Sequence, residues 1–233
     1  MSVVSIDRVR SGDLRALSRA ISVVEGGGSL AGIESTPTPV IGVTGPPGAG
    51  KSTLISAMIS QMRQAGDTVG VLAIDPSSPI TGGAMLGDRI RMQGHADDPG
   101  VFIRSMATRG ELGGLALAAG DAIRLMGMAG LDRLLLETVG VGQSEVEVME
   151  LADVVVVVVG PGWGDGIQAD KAGIVEIADV FVVNKGDRSG AEEVRRALGE
   201  MAVDRGVEIV ITTATTGAGV NDLVSVIDGL IEH

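Results

Sequence analysis

The chain alternates between short runs in which every residue is apolar and longer stretches in which apolar residues recur at helical spacing. The continuous runs predict strands near residues 40–43, 69–74, 101–104, 133–138, 153–159, 180–184 and 207–212. Helical spacing predicts helices near residues 11–25, 51–65, 112–128, 190–203 and 219–231. This alternation predicts an α/β fold, a three-layer sandwich in which a mostly parallel sheet of about seven strands lies between two layers of helices.

The amino-terminal region stands apart from this alternation. Residues 1–10 show no clear period, and the helix predicted near 11–25 ends at three consecutive glycines, residues 26–28. The regular alternation begins only after a proline-containing loop. We therefore predict an N-terminal helical extension over residues 1–38, followed by a single domain over residues 39–233.

A glycine-rich loop connects the first predicted strand to the helix near 51–65. It fits the pattern G-x-x-x-x-G-K-[ST] and consists of Gly45, Pro46, Pro47, Gly48, Ala49, Gly50, Lys51, Ser52 and Thr53. The glycines let the backbone wrap closely around a phosphate, and the start of the helix adds its positive dipole end. We expect Lys51 to reach the outer phosphates and the Ser52 hydroxyl to bind Mg²⁺. A glycine-rich turn without a ligand is the alternative, but the strand and helix on either side favour a nucleotide site.

Carboxylates end two of the predicted strands, at the edge where parallel sheets bind ligands. Asp75 ends the second strand, where it would hold Mg²⁺, orient the attacking water or simply cap the turn that follows. Glu137 ends the apolar run Leu134-Leu135-Leu136, the Walker B arrangement in which the acid holds Mg²⁺ directly or through water. A structural carboxylate at the end of a buried strand would need a partner, because an unpaired buried charge is costly. Function is therefore the better reading for Glu137.

Four further residues are candidates for the same edge of the sheet. Gly140 follows Glu137 by three residues and would donate its amide to a γ-phosphate. Asp88 and Arg91 would serve the metal and the phosphates, or form only a solvated ion pair. Gln143 is a candidate for positioning the attacking water. The sequence does not decide between these roles.

The sixth predicted strand ends in a base-recognition motif. Asn184, Lys185 and Asp187 fit N-K-x-D. The Asp187 carboxylate would accept hydrogen bonds from guanine N1–H and the 2-amino group, whereas adenine offers neither donor. Asn184 would brace the loop, and the Lys185 stem would cover the base. After the seventh strand, Thr213 and Ala214 occupy the position of the last guanine contact, where the Ala214 amide would meet O6; a simple polar turn is the alternative. The predicted ligand is GTP.

Composition narrows the class of partner and the compartment. The formal net charge of −12 argues against binding to nucleic acid or to an anionic membrane surface. The chain has no cysteine, which excludes disulfides and thiolate metal sites, and no apolar run approaches the roughly 20 residues that span a bilayer. We therefore expect a soluble cytoplasmic protein without a signal peptide.

Several stretches together resemble the MeaB/MMAA (ArgK-like) family, the G-protein chaperones of adenosylcobalamin-dependent acyl-CoA mutases such as methylmalonyl-CoA mutase. They are Glu137-Thr138-Val139-Gly140-Val141-Gly142-Gln143-Ser144-Glu145, Asp75-Pro76-Ser77-Ser78, Thr81-Gly82-Gly83, Gly87-Asp88-Arg89, Arg104 with Leu112-Gly113-Gly114, and residues 178–187. The resemblance runs from about Leu14 to the C-terminus. It implies a SIMIBI-class P-loop NTPase fold.

The resemblance also implies an activity and a partner. It implies a GTPase that is slow alone and stimulated by the mutase, that gates cofactor delivery from an adenosyltransferase and that helps to expel damaged cobalamin. Residues 160–171 look like the family's mobile loop, which contacts the mutase. The matching catalytic and metal-binding positions are Lys51, Ser52, Asp75, Asp88, Arg91 and Glu137. Longer relatives carry a C-terminal dimerisation arm that this chain lacks, so we do not expect the family's mode of dimerisation.

Three rival functions are open at this point. A nickel-inserting GTPase would need His or Cys ligands, and the chain has two histidines and no cysteine. A transport-linked kinase would transfer phosphate to an acceptor, for which no site is apparent. A nucleotide sensor without turnover stays open because no residue is an obvious strong general base. The identity of the mutase is not contained in the sequence.

Overall fold

A computed structural model describes residues 5–76, 93–95, 97–108, 112–138, 149–163 and 176–232. Its strands are β1 Val40–Thr44, β2 Val69–Pro76, β3 Val101–Thr108, β4 Arg133–Thr138, β5 Val154–Val159, β6 Val180–Val183 and β7 Glu208–Ile211. They form one seven-stranded sheet in the order β3-β2-β4-β1-β5-β6-β7, and every neighbouring pair is parallel. The predicted α/β fold with a parallel sheet is confirmed.

The helices lie close to their predicted positions, with one exception. They are α1 Ile6–Arg10, α2 Leu14–Glu25, α3 Lys51–Ala65, α4 Leu112–Met128, α5 Ala191–Met201 and α6 Val220–Ile231. The exception is α1, which lies in the part of the N-terminal extension where the sequence shows no clear period. Five residues are too few to show a period, and so short a helix depends on packing, here through the fully buried Val9.

Alternate residues of each strand enter two separate apolar layers. In β4, Leu135 packs in the layer that contains α3 and α6, whereas Leu134 and Leu136 pack in the layer that contains α2, α4 and α5. All six residues of β5 are buried, as expected for a central strand covered on both faces. Within the described ranges, no helix combines the length and the apolar character needed to cross a membrane.

The N-terminal helices pack against the same core as the sheet. Glu25, the last residue of α2, accepts a hydrogen bond from Arg104 on β3 at 2.6 Å and one from the Ala107 amide at 3.3 Å. Arg104 also donates to the Ser22 hydroxyl at 3.1 Å. The two bonds to Glu25 are called the Glu25 contacts below. Together with the bond to Ser22, they join the N-terminal extension to the edge strand β3. The division after residue 38 stays a prediction.

Aspartate side chains accept hydrogen bonds from backbone N–H groups at the amino-terminal ends of the strands. Each of three aspartates directly precedes a strand, and its carboxylate accepts a hydrogen bond from a backbone N–H at or next to the first residue of a neighbouring strand. The bonds, all 2.8 Å from carboxylate oxygen to nitrogen, join Asp132 to Thr68, Asp153 to Val40 and Asp179 to Val155. They satisfy N–H groups that the strand ladders leave unpaired.

At the same edge, Asp98 makes a two-point ion pair with Arg63, and this pair gives a testable pH dependence. The atoms Arg63 Nε and Nη2 lie 2.9 and 3.0 Å from the two Asp98 oxygens. The hydrogen bonds from Arg63, followed by that from the Gly100 amide, lower the pKa of Asp98. A carboxylate whose pKa is lower in the folded state stabilises the fold above its unfolded pKa near 3.9, and this stabilisation is lost as the pH falls through its folded pKa.

We therefore expect the Asp98→Asn variant to be less stable than the parent at pH 7, and the difference to shrink as the solution is acidified toward about pH 3. Urea denaturation of both proteins over this range measures it. The same substitution at the exposed Asp222 is the matched control and should cost little at any pH. A stability difference between parent and Asp98→Asn that does not change with pH would contradict the assignment.

Candidate functional site

The glycine-rich loop runs from the end of β1 to the start of α3, and two of its glycines are required by close contacts. Gly45 has φ 139°, and a Cβ there would lie 2.0 Å from the Val158 carbonyl oxygen. Gly50 has φ 95°, and a Cβ there would lie 2.5 Å from the Asn184 amide nitrogen. No larger residue fits these positions without a shift of the backbone or of Asn184. The loop is thereby held against β5 and the loop that follows β6.

Lys51 and Ser52 open helix α3 and are both buried. The Lys51 ammonium donates to the carbonyl oxygens of Gly45 at 2.7 Å and Pro46 at 3.2 Å. The side chain therefore folds back over the loop instead of extending into solvent. Thr53 lies in the first turn of the same helix. The first N–H groups of a helix have no acceptor within the helix itself, and they point toward its N-terminal end, so such an end is suited to an anion.

Glu137 and Ser52 contact each other where the carboxyl ends of the strands meet. The Ser52 hydroxyl donates to Glu137 Oε1 at 2.8 Å, and Glu137 is 1% exposed. The pairing of β1 with β4, which places Val43 opposite Glu137, brings the two together. A hydroxyl and a carboxylate are hard oxygen ligands of the kind that Mg²⁺ prefers, so the donor set fits this ion. The Asp75 backbone lies one residue before the end of β2 at the same edge, but its side chain lies outside what the structure describes.

Asn184 connects the phosphate loop to the loop after β7. Its amide nitrogen donates to the carbonyl oxygens of Ala49 at 3.0 Å and Gly50 at 3.4 Å. Its amide oxygen accepts from the Thr212 hydroxyl at 3.2 Å and the Ala214 amide at 3.1 Å. Because Asn184 is 2% exposed, these bonds are shielded from water. They join the phosphate loop, the loop after β6 that contains Asn184, and the loop after β7.

The remaining residues of the predicted guanine site lie beside Asn184. Lys185 has the left-handed φ of 60°, and its ammonium donates to the Gly48 carbonyl oxygen at 2.6 Å. Asp187 is exposed and makes no hydrogen bond or ion pair within the described ranges, so its carboxylate is available to a ligand. The Thr213 amide closes a turn with the Ala218 carbonyl oxygen at 2.9 Å. Because the Ala214 N–H already donates to Asn184, its predicted contact with guanine O6 would have to share that hydrogen, and the contact stays a prediction.

Several predicted residues cannot be placed. Asp88, Arg91, Gly140 and Gln143 lie outside the described residues, as do residues 164–171 of the predicted mobile loop. Residues 160–163 of that loop form a turn in which the Trp163 amide donates to the Gly160 carbonyl oxygen at 3.2 Å. The roles of the unplaced residues remain predictions.

The structure also reveals site residues that the sequence did not indicate. Thr212 supports Asn184, and the hydroxyls of Thr44 and Thr138 form a hydrogen bond of 3.0 Å at the ends of β1 and β4. In the sequence, each of these threonines is a polar residue at or just after the end of an apolar strand. That pattern is equally typical of a strand end without a functional role.

Residues 30–233 match the family model described as methylmalonyl-CoA mutase-associated GTPase MeaB. A putative GTPase of Pyrococcus horikoshii is 50% identical over 235 residues, an alignment that covers 94% of this chain and 74% of that protein. The mitochondrial methylmalonic aciduria type A homolog of Mus musculus is 44% identical over 147 residues, which cover 63% of this chain and 35% of that protein. A crystal structure of an LAO/AO transport system kinase superposes with a TM-score of 0.74 at 27% identity, covering 97% of this chain and 73% of that one.

Proposed function

The chain belongs to the MeaB family of GTPases and has the SIMIBI-class P-loop fold, and from this premise we propose that it is the chaperone of an adenosylcobalamin-dependent acyl-CoA mutase. In this role it would gate the loading of the cofactor and the reactivation of the mutase. The observation that carries the proposal is the extent of the family match, because residues 30–233 include both the phosphate loop and the N-K-x-D residues 184–187, called the guanine loop below. A match confined to the phosphate loop would have supported only nucleotide binding.

We propose that GTP lies along the loops that Asn184 connects. The Lys51 ammonium would exchange the carbonyl oxygens of Gly45 and Pro46 for phosphate oxygens, and Asp187 would hold the guanine edge. Ser52 and Glu137 would hold Mg²⁺, with Asp75 and Asp88 as further acidic candidates. When bound, the ion would neutralise charge on the β- and γ-phosphates. Arg91 and Gly140 are proposed to lie near the γ-phosphate.

The start of the predicted mobile loop lies beside the guanine loop, and this supports communication between the nucleotide and a partner. A Cβ at Gly160 would be 3.9 Å from the Lys185 side chain, and one at Gly190 would be 3.7 Å from Pro161. The Lys185 side chain in turn contacts the phosphate loop through Gly48. We propose that residues 160–171 contact the mutase, and that they respond to the bound nucleotide through the contacts of Lys185 with Gly160 and Gly48. Their four glycines would make the segment pliable.

We also propose a cytoplasmic location, because the sequence contains no cysteine. We propose a protein partner and not a nucleic acid, because the net charge is −12. An adenosyltransferase is a second proposed partner. The runner-up function is a transport-linked kinase, which the superposition on the LAO/AO transport system kinase favours. It predicts a phosphorylated acceptor and a turnover rate that does not respond to a mutase. A nickel-inserting GTPase would instead copurify with subunits of a nickel enzyme.

The test is capture of partners from a lysate of the source organism. The protein is loaded in parallel with GDP and with a non-hydrolysable GTP analogue, and captured proteins are identified by mass spectrometry. We expect a cobalamin-dependent acyl-CoA mutase in an amount that depends on the nucleotide, and we expect the purified mutase to accelerate GTP hydrolysis. The Lys51→Ala variant is the control, because nucleotide-dependent capture should disappear with it. A mutase that neither binds nor accelerates hydrolysis would overturn the chaperone function.

A further inference from the structure

The strands β1 and β4 are neighbours in the sheet, and their pairing ends one residue before the last residue of each strand. Their register pairs Val40 with Leu134 and continues to the pairing of Val43 with Glu137. The next residue on each strand is a threonine, Thr44 on β1 and Thr138 on β4. Beyond this point, β1 continues into the phosphate loop. The two threonines therefore mark the place where the strands that carry the nucleotide site separate.

A hydrogen bond between side chains joins the strands at this point. The Thr138 hydroxyl donates to the Thr44 hydroxyl at 3.0 Å, and the two residues are 0% and 1% exposed. A hydrogen bond so fully removed from water is stronger than one at the surface. The contact thus continues the pairing of β1 and β4 one residue beyond the last paired position, Val43 with Glu137.

The bond between the two threonines and the Ser52–Glu137 pair lie on opposite faces of the sheet. Successive residues of a strand point to opposite faces of the sheet. Glu137 points to the face that α3 covers, where it meets Ser52, and Thr138 points to the opposite face. The sheet is therefore held from one face by the bond between threonines and from the other by the bond between Ser52 and Glu137. A change in the separation of the strand ends would change the position of Glu137 relative to Ser52.

We propose that Thr44 and Thr138 are positioning residues for GTP hydrolysis, and that their hydrogen bond keeps Glu137 within reach of Ser52. The inference rests on the proposed role of Ser52 and Glu137 in holding Mg²⁺. Neither threonine acts on the substrate directly. Their contribution is to fix the geometry in which the hydroxyl of Ser52 and the carboxylate of Glu137 face one metal position.

Valine has nearly the shape of threonine, which makes a sharp test possible. Replacement of both hydrogen-bonding partners by apolar groups of the same shape is close to neutral for stability, whereas removal of one leaves the other polar group without its partner. The double variant Thr44→Val/Thr138→Val removes both hydroxyls of this bond and nearly keeps the shape of the two side chains, and urea denaturation checks that it is folded. Any loss of activity in it reports on position and not on unfolding.

The experiment measures kcat, the KM for GTP and the Mg²⁺ concentration that gives half the maximal rate. For Thr138→Val and for the double variant we expect kcat to fall about threefold to tenfold, the range that one hydrogen bond accounts for. The Mg²⁺ requirement should rise by a similar factor. The KM for GTP should change little, because Lys51 and the guanine loop are intact. Thr138→Ser, which restores the hydroxyl, should recover both kcat and the Mg²⁺ requirement.

Thr68→Val is the matched control. Its hydroxyl also bonds to a neighbouring strand terminus, at 2.7 Å from Asp132 Oδ2, but at the opposite edge of the sheet. This variant should lose some stability and keep the parent values of kcat and Mg²⁺ requirement. Parent-like kinetics in Thr138→Val and in the double variant would overturn the positioning role.

Glu137→Gln separates the two proposals. If it raises the Mg²⁺ requirement and the threonine variants do not, the positioning role fails and the Mg²⁺ assignment stands. If Glu137→Gln leaves the Mg²⁺ requirement at the parent value, the assignment of the metal site fails, and the positioning role fails with it.

Discussion

Replacement of Lys51 with alanine is expected to weaken the binding of GTP and GDP severely. The Lys51 side chain is 7% exposed, and its ammonium already lies over the loop carbonyls of Gly45 and Pro46. In the nucleotide complex it would supply buried, charge-assisted hydrogen bonds to phosphate. Removal of one partner from such a pair costs about 2–5 kcal/mol, or roughly 30-fold to 5,000-fold in affinity. Losses at the upper end would put binding outside the range of most assays.

Titration calorimetry with GDP measures this loss directly. Lys185→Ala is the comparison, because it removes a second ammonium that contacts the same loop, at Gly48. Lys185 is less buried than Lys51, so we expect a smaller loss for its variant. Circular dichroism confirms that each variant is folded. An unchanged affinity for GDP in folded Lys51→Ala would contradict the assignment of the phosphate site.

Replacement of Asp187 with asparagine is expected to remove the preference for guanine over adenine. A carboxylate accepts from both guanine N1–H and the 2-amino group, whereas an asparagine amide presents one acceptor and one donor. The amide donor would face the 2-amino group, so the match with guanine is lost. Sites built on paired polar groups discriminate by about 10⁴-fold or more, and most of this preference should disappear.

Competition between GDP, ADP and XDP measures the change. Xanthine carries a carbonyl where guanine has its amino group, so the asparagine amide can pair with both of its edge groups. We expect Asp187→Asn to bind XDP more tightly than GDP. Asp222→Asn, the same change at an exposed position on α6, should leave guanine preference intact. If Asp187→Asn prefers GDP over ADP as strongly as the parent does, the guanine site lies elsewhere.

The elements of the fold could be predicted because their signals are local. Helix α3 was predicted with its observed bounds, since a glycine-rich loop precedes it and Gly66 follows it. Strand β5 is a run of six valines. Such a run is typical of a strand that is buried on both faces, because β-branched residues favour strands and every position is apolar. The order of the strands was beyond sequence reasoning. That β4 lies between β2 and β1 depends on how helices from distant parts of the chain pack together.

The motifs of the site were visible in the sequence, but the bonds that hold them together were not. The phosphate loop and N-K-x-D each occupy adjacent residues. The Asn184 side chain, however, bonds to Ala49, which is 135 residues earlier in the chain, and to Ala214, which is 30 residues later. Likewise Thr44 and Thr138 form no pattern until β1 and β4 are paired. Polar partners far apart in sequence are determined by the tertiary structure.

The Glu25 contacts have a consequence for association between molecules. Strand β3 is one edge of the sheet, and the exposed hydrogen-bonding groups of an edge strand can pair with another chain. The Glu25 carboxylate occupies the outward Ala107 amide, and α2 lies against that edge. The opposite edge strand, β7, is four residues long and begins with the exposed Glu208. Helix α2 at one edge, and short length and charge at the other, are therefore features that disfavour pairing of the sheet with a neighbouring molecule.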